Sequence, residues 1–255
     1  MADGHMSRVA AIAAAVLLTA TGCTVTEDGA ARTGTAPASD RPPVQSSAAP
    51  PSTTPTTTVS ADAPPVTTAE LDTLLLKRSE LAQIMGDTDM QQTQVFEKST
   101  YANPVTVEPV SCRKVLLPAE SRTWSDDTAA VTGNANRGAG GQAANQLVIL
   151  LNSPTAAQQA LDGIETDWRY CPPDEPFSLT ATSLGRQQWQ ITAGPDSSGD
   201  PRRLSVTSTR QDPPRACSHA FTTKINVLIE AIACGTGDTA VQAAAILDGI
   251  AAKID

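Results

Sequence analysis

The sequence predicts an α+β domain, in which helices pack on an antiparallel sheet crosslinked by two disulfides, after a disordered N-terminal tether. Three observations favour this class. Helical patterns occur near residue 70, in the middle of the chain and at its end. Strand-like stretches follow one another beyond residue 173 with no helix between them, as in antiparallel sheets. Four cysteines lie beyond residue 100, an even number that is typical of disulfides in an exported protein.

The first part of the predicted domain contains two short helices. We expect Thr68 to cap a helix over residues 70–76 and Ser79 to cap a second one over 79–85, which Gly86 ends. A weak strand and a short helix should follow, at 90–96 and 112–116.

The middle and the end of the chain carry clearer patterns. The apolar run 145–151 predicts a central strand, and Ser153 followed by Pro154 predicts the start of a helix that runs to Trp168. The Gly-rich stretch 133–141 lacks the spacing of a phosphate-binding loop and precedes a strand, so we interpret it as a hairpin loop. The remaining predicted elements are strands at 177–182, 187–192, 203–209, 216–223 and 227–234, and a final helix at 239–254.

The N-terminus has the pattern of a bacterial lipoprotein signal. An apolar run over 9–20, too short to span a membrane, follows Arg8 and leads to Ala-Thr-Gly-Cys23. This resembles a lipobox, in which the cysteine thiol receives a diacylglyceryl group and becomes the new N-terminus. The alternative is a plain signal peptide with a chance cysteine at this position. Met6 is a second candidate for the natural start.

A tether should follow the anchored cysteine. Half of the residues from 24 to 66 are Pro, Ser or Thr, a composition that cannot bury enough apolar surface to offset the entropy of ordering. We therefore divide the chain into a signal peptide (1–22), a lipidated Cys23 with a disordered tether (23–66) and a folded domain (67–255). The domain should lie outside the cytoplasm, with the membrane as its partner through acyl chains on Cys23.

Composition argues against several function classes. The net charge is −9 and the 18 Lys and Arg are scattered, which argues against nucleic acid as a partner. Only His219 remains after signal cleavage, and a structural histidine is a better interpretation than a catalytic one, so we expect no catalytic residue. We also expect no cofactor and no metal. Zinc held by Cys217, His219 and Cys234 is the alternative that an oxidising location disfavours.

The four cysteines of the domain allow three disulfide pairings. If 216–223 and 227–234 form a hairpin turning at residues 225 and 226, each pair of opposed residues sums to 451. Cys217 then lies opposite Cys234, at a separation that a disulfide can bridge. The remaining pair would be Cys112 with Cys171.

Several segments together resemble the PknH-type extracellular sensor domain, in its stand-alone mycobacterial lipoprotein form. They are LLLKRSELAQIMGDTDM at 74–90, DWRYC at 167–171, ACSHAF at 216–221 and NVLIEAIAC at 226–234. The resemblance implies a compact α+β fold with two disulfides and a surface cleft that binds an unidentified extracellular ligand. Glu230 stands where the family usually has Asp, and Ser218-His219 where it usually has Gln-Arg.

We expect Trp189, His219 and Glu230 to line the cleft of a monomeric, non-enzymatic protein that binds a small molecule or an envelope component. The alternative function is a protein–protein interaction module of the cell envelope. A concave pocket with converging polar groups would favour the first, and a flat exposed apolar patch the second.

Overall fold

A computed structural model of the chain describes residues 64–97, 105–118 and 127–254. Cys23, the signal peptide and the tether up to residue 63 lie outside the described residues. The described helices are α1 (Leu71–Leu74), α2 (Arg78–Met85), a 3-10 turn (Val110–Cys112), α3 (Arg113–Leu116), α4 (Pro154–Trp168) and α5 (Thr239–Ala251). The strands are β1 (Gln91–Phe96), β2 (Val105–Glu108), β3 (Thr128–Arg137), β4 (Ala143–Leu151), β5 (Phe177–Ala181), β6 (Gly185–Ser198), β7 (Arg203–Arg210), β8 (Arg215–Lys224) and β9 (Val227–Gly235).

Within the described ranges, nine strands form one antiparallel sheet in the order β1-β3-β4-β9-β8-β7-β6-β5-β2. Helices cover both faces, with α3 and α4 on one and α1, α2 and α5 on the other. The interior strands β4 and β9 are therefore buried on both sides, which explains their nearly unbroken apolar sequences. The predicted α+β class with an antiparallel sheet is confirmed.

The β8–β9 hairpin sets the register of the sheet centre. It turns at Ile225 and Asn226, and Cys217 lies directly opposite Cys234, as the pairing sum of 451 predicts. The structure contains both expected disulfides, Cys217–Cys234 and Cys112–Cys171. The second one joins the 3-10 turn before α3 to the chain just after α4.

Helix ends follow the predictions in part. Ser153 caps α4 by accepting a hydrogen bond from the Ala156 amide, as expected. The cap predictions for Thr68 and Ser79 are wrong. The N-cap of α1 is Glu70, whose carboxylate accepts from Thr67, and α2 starts after Lys77, whose amide donates to Glu80. In both places a glutamate carboxylate accepts a hydrogen bond from the amide three residues earlier, and no hydroxyl caps the helix.

Two strands were missed. The four-residue β2 is too short to show a pattern, and the first five residues of the predicted hairpin loop, 133–137, belong to β3. Gly133 is required there, because a Cβ atom would lie 2.5 Å from the Gln146 carbonyl oxygen of β4. Only residues 138–142 connect β3 to β4.

The described residues belong to one compact unit, Thr57–Asp255. Both hydrophobic cores and both disulfides lie within it, so this unit has what a domain needs to fold on its own. None of its described helices is both long and apolar enough to cross a membrane.

Candidate functional site

The most unusual feature of the core is a buried pair of polar side chains at the sheet centre. His219 on β8 and Glu230 on β9 lie on the sheet face covered by α3 and α4, diagonally across the hairpin. Nε2 of His219 lies 2.9 Å from Oε1 of Glu230, and Nδ1 lies 3.1 Å from the Val115 carbonyl oxygen. The two side chains are only 2% and 1% exposed.

The hydrogen bonds constrain where the protons are. A carbonyl oxygen can only accept, so Nδ1 of His219 carries a proton and donates it to Val115. One further proton then lies between Nε2 and Oε1. Either His219 is an imidazolium beside a carboxylate, or it is a neutral ring that accepts from protonated Glu230. The pair is neutral overall in both cases, which lowers the cost of burying it.

Aromatic and aliphatic side chains surround the pair. The ring of Trp168, at the end of α4, lies 5.3 Å from that of His219. The ring of Phe221 lies 4.7 Å from His219 and 5.6 Å from Trp168, so the three rings contact one another. Together with Lys114, Leu117 and Ile164 these side chains line a narrow crevice. In the described conformation the crevice has no room for a water molecule.

One edge of the crevice is charged. Lys114 on α3 forms an ion pair with Asp167 on α4, and its carbonyl oxygen accepts a 3.0 Å hydrogen bond from the Trp168 indole. Two further acidic residues of α4 also have partners, since Asp162 and Glu165 both pair with Arg202 at 2.5 Å. The acidic face of α4 is therefore joined to its neighbours by ion pairs.

Two disulfides hold the walls of the crevice. Cys217–Cys234 crosslinks β8 to β9 two residues before His219, on the same face. Cys112–Cys171 ties the start of α3 to the end of α4, and thus holds Val115 against His219 and Trp168 over the sheet. A one-residue slip of the hairpin would move His219 to the opposite face.

The structure brings together only two of the three residues that we expected to line a cleft. His219 and Glu230 are in contact, but Trp189 lies on β6, two strands away from β8, and its ring packs beneath Arg210. Sequence reasoning missed Lys114 and the carbonyl of Val115, because nothing in the sequence of α3 shows that it packs over β8. Trp168 marks the predicted end of a helix, but nothing in the sequence indicates its contact with His219.

The site offers neither an open catalytic geometry nor a metal site. Catalysis by His219 would require an open cleft, and both it and Glu230 are buried. Cys217 and Cys234 are bonded to each other, so their sulfurs are not thiolates that bind zinc. Among the described residues, no cluster of three or more His, Cys, Asp or Glu side chains has the arrangement of a metal site.

A disulfide-bonded α+β domain of this kind is typical of proteins outside the cytoplasm. The chain belongs to the PknH-like extracellular domain family, whose sequence model matches residues 66–253. No curated protein matches it.

Two solved structures are similar to the chain. One is the extracellular domain of PknH from Mycobacterium tuberculosis, with a TM-score of 0.66 and 24% sequence identity, covering 75% of this chain and 97% of that one. The other is a putative uncharacterized protein from Mycobacterium smegmatis, with a TM-score of 0.34 and 13% identity, covering 70% of this chain and 96% of that one. The similarity to the PknH extracellular domain is one of fold.

Proposed function

We propose that this protein is a non-enzymatic, ligand-binding domain of the sensor type, held on the outer face of the cell membrane by a lipid on Cys23. The family match and the two disulfides support the extracellular placement. The lipobox-like sequence before Cys23 and the Pro/Ser/Thr-rich segment after it support the anchor and the tether.

The observation that carries the binding proposal is the neutral, hydrogen-bonded His219–Glu230 pair on the floor of an aromatic crevice. Ligand sites are typically apolar hollows with a few fixed polar groups, and this crevice has that chemistry. Its ligand would be a small molecule or an envelope component with an apolar body and one polar group that hydrogen-bonds the pair. Because the crevice is filled by its own side chains, binding must displace those of Lys114 and Leu117 on its α3 side.

Native mass spectrometry of the unit Thr57–Asp255, exported by its natural host, tests the ligand. We expect an added mass that disappears on denaturation. It should also be absent from an Ile164→Phe variant, in which a larger side chain fills the crevice. Ala243→Val, which adds volume beneath α5 on the opposite face, is the control and should keep the added mass. The proposal fails if wild type carries no added mass, or if Ile164→Phe retains it while still folding.

The anchor has its own test. Cys23→Ser should remove labelling by a palmitate analogue and abolish the diacylglyceryl modification of the mature protein. Labelling that persists in Cys23→Ser would contradict the proposed anchor.

The alternative, a protein–protein interaction module, has less support. The most exposed large apolar side chains of the described residues lie on different elements, and isolated ones are common on any surface. Two of them, Val110 and Tyr170, are near the Cys112–Cys171 disulfide in sequence. An interaction surface there would lose its partner on Tyr170→Ser, whereas ligand binding in the crevice would not change.

A further inference from the structure

A second group of charged side chains lies on the same face of the sheet, away from the crevice. Trp189 on β6, Arg210 on β7 and Arg215 on β8 are directly opposed in register, so their side chains point to one face. The Arg210 guanidinium lies over the Trp189 ring, 5.7 Å from its centroid. Arg215 is four residues before His219 on β8, about 13 Å along the strand.

A third arginine, Arg137 on β3, lies on the same face three strands away from Arg215 on β8. Arg137 pairs with Ala143, which pairs with Cys234, so it lies on the same face as the Cys217–Cys234 disulfide. Arg215 reaches towards this side of the sheet, since its Nη1 donates a 2.7 Å hydrogen bond to the Gly141 carbonyl oxygen in the β3–β4 loop. Burial of its guanidinium, together with repulsion by Arg137 and Arg210, lowers the pKa of Arg215.

These three positive charges are not neutralised within the part of the chain that the structure describes. No salt bridge there involves Arg137, Arg210 or Arg215, although the protein as a whole is acidic. Asp212, in the turn between Arg210 and Arg215, pairs with neither of them. Like charges held together without a counter-ion repel one another, and a bound anion would relieve this repulsion.

Two buried donors beside the arginines also have no hydrogen-bond partner among the described residues. They are Nε1 of Trp189 and the hydroxyl of Ser208, whose side chains are 5% and 1% exposed. Ser208 lies two residues before Arg210 on β7, opposite Cys217, and so on the same face. Buried donors are nearly always satisfied in folded proteins, so two unsatisfied ones point to a missing acceptor. Within the described part of the chain, the guanidinium groups of Arg210 and Arg215 have only carbonyl partners, since Nε of Arg210 donates to Pro213 and Nη1 of Arg215 to Gly141.

We propose that Arg215, with Arg210 and Arg137 on either side of it, binds a phosphate-type oxyanion, with Trp189 and Ser208 as additional donors beside Arg210. Three guanidinium groups suit a multiply charged anion with several acceptor oxygens, which phosphate offers and a single carboxylate does not. The β3–β4 loop supplies no donors of its own at Gly138, Gly140 and Gly141, because their amides already donate to Gln142, Asp87 and Gly138. The proposal does not depend on the His219–Glu230 crevice.

Solution NMR on the disulfide-bonded unit Thr57–Asp255 tests this site with inorganic phosphate at constant ionic strength. We expect phosphate to shift the indole N–H resonance of Trp189 and the amide of Gly141, and acetate to shift them much less. Arg137 makes no hydrogen bond or ion pair among the described residues, so Arg137→Gln should leave the fold intact and weaken binding about tenfold or more. Arg215→Lys keeps the positive charge but loses the bidentate guanidinium, so its affinity for phosphate should lie between those of wild type and Arg137→Gln.

Arg186→Gln is the matched control. Arg186 is an exposed arginine of β6, and its replacement removes the same charge at a position outside the site. Flotation with vesicles of phosphatidylcholine, with and without phosphatidic acid, distinguishes a lipid headgroup from free phosphate. Binding to either source that Arg137→Gln weakens and Arg186→Gln does not supports the site. The proposal is overturned if neither source binds, if both variants weaken binding alike, or if acetate binds as tightly as phosphate.

Discussion

Glu230 carries a carboxyl group in the centre of the sheet, and it hydrogen-bonds His219 on the neighbouring strand. A stable core does not require such a pair, because apolar side chains of similar volume in its place often make a protein at least as stable. Its presence at the floor of a crevice is therefore more readily explained by binding than by stability. The same reasoning applies to Trp189 and Ser208, whose donors have no partner in the described part of the chain.

At this scale we predict strong coupling between His219 and Glu230. Glu230→Leu should lower the free energy of unfolding by about 1–3 kcal/mol, because it leaves Nε2 of His219 buried without a partner. In the double variant with His219→Phe most of that loss should be regained, since both polar groups are then gone. A double-mutant cycle in urea measures the coupling, and additive losses would show that the two side chains act independently.

At the scale of single elements, two amide side chains hold the N-terminal segment onto the sheet. Gln146 on β4 accepts from the Leu76 amide and donates to the Leu76 carbonyl, both at 2.8 Å. Asn226 in the hairpin turn does the same for Val66, at 2.9 and 3.2 Å. The residues that follow the tether are thus bound by side chains that imitate a strand pair.

Gln146→Met should free this segment, because it leaves the buried amide and carbonyl of Leu76 unpaired. We expect a loss of about 2 kcal/mol in the free energy of unfolding and faster hydrogen exchange at Leu76. Gln190→Met, at an exposed position of β6, is the control and should change neither. Unchanged exchange at Leu76 in the Gln146 variant would contradict this role.

A pH dependence follows from the start of α2. The hydrogen bond from the Lys77 amide lowers the pKa of Glu80 below its ordinary value of 4.5, and the charge of Lys253 acts in the same direction. A lowered folded-state pKa means that the ionised carboxylate contributes stability above pH 4.5, which is lost as the pH falls through the folded-state value. Glu80→Gln should therefore be less stable than wild type at pH 7, and the difference should shrink as the pH falls below 4.5. A difference that stays constant with pH would count against this assignment.

How far the sequence predicts these elements depends on where their partners lie. The β8–β9 hairpin and its disulfide could be derived, because a local turn fixes which residues face each other. Strand β3 could not be derived, because Gly133, Asn134 and Asn136 are poor strand formers. Only tertiary contacts explain why they adopt a strand. Asn136 donates to Asn134, which accepts in turn from Gln146 of the next strand. The arginine group was invisible for the same reason, since its members come from three strands up to 78 positions apart.

Over the whole molecule, the two disulfides crosslink different parts of the fold. Cys112–Cys171 joins the helices on one face of the sheet, and Cys217–Cys234 joins two of its central strands. Cys112–Cys171 closes a separation of 59 residues and Cys217–Cys234 one of 17. In the chain-entropy account the first contributes about 4 kcal/mol and the second about 3 kcal/mol. The placement outside the cytoplasm matters here, because a reducing compartment would remove both contributions.

The two disulfides should differ in what they protect. Replacing Cys112 and Cys171 by Ser should cost more stability in urea, by about 1 kcal/mol, than replacing Cys217 and Cys234. It should also loosen α3 over His219, visible as faster hydrogen exchange in residues 113–116. Equal losses, with α3 still protected in both variants, would contradict the role of Cys112–Cys171 as a wall of the crevice.

The proposed site requires an exported domain whose crosslinked hairpin holds His219 and Glu230 together under α3. Peptide mapping of the protein isolated without reduction from the cell envelope tests it most directly. We expect two crosslinked peptide pairs, one joining Cys112 to Cys171 and one joining Cys217 to Cys234, with no free thiols at these positions. Free thiols at these positions, or Cys217 bonded to any cysteine other than Cys234, would contradict the strand register and the site built on it.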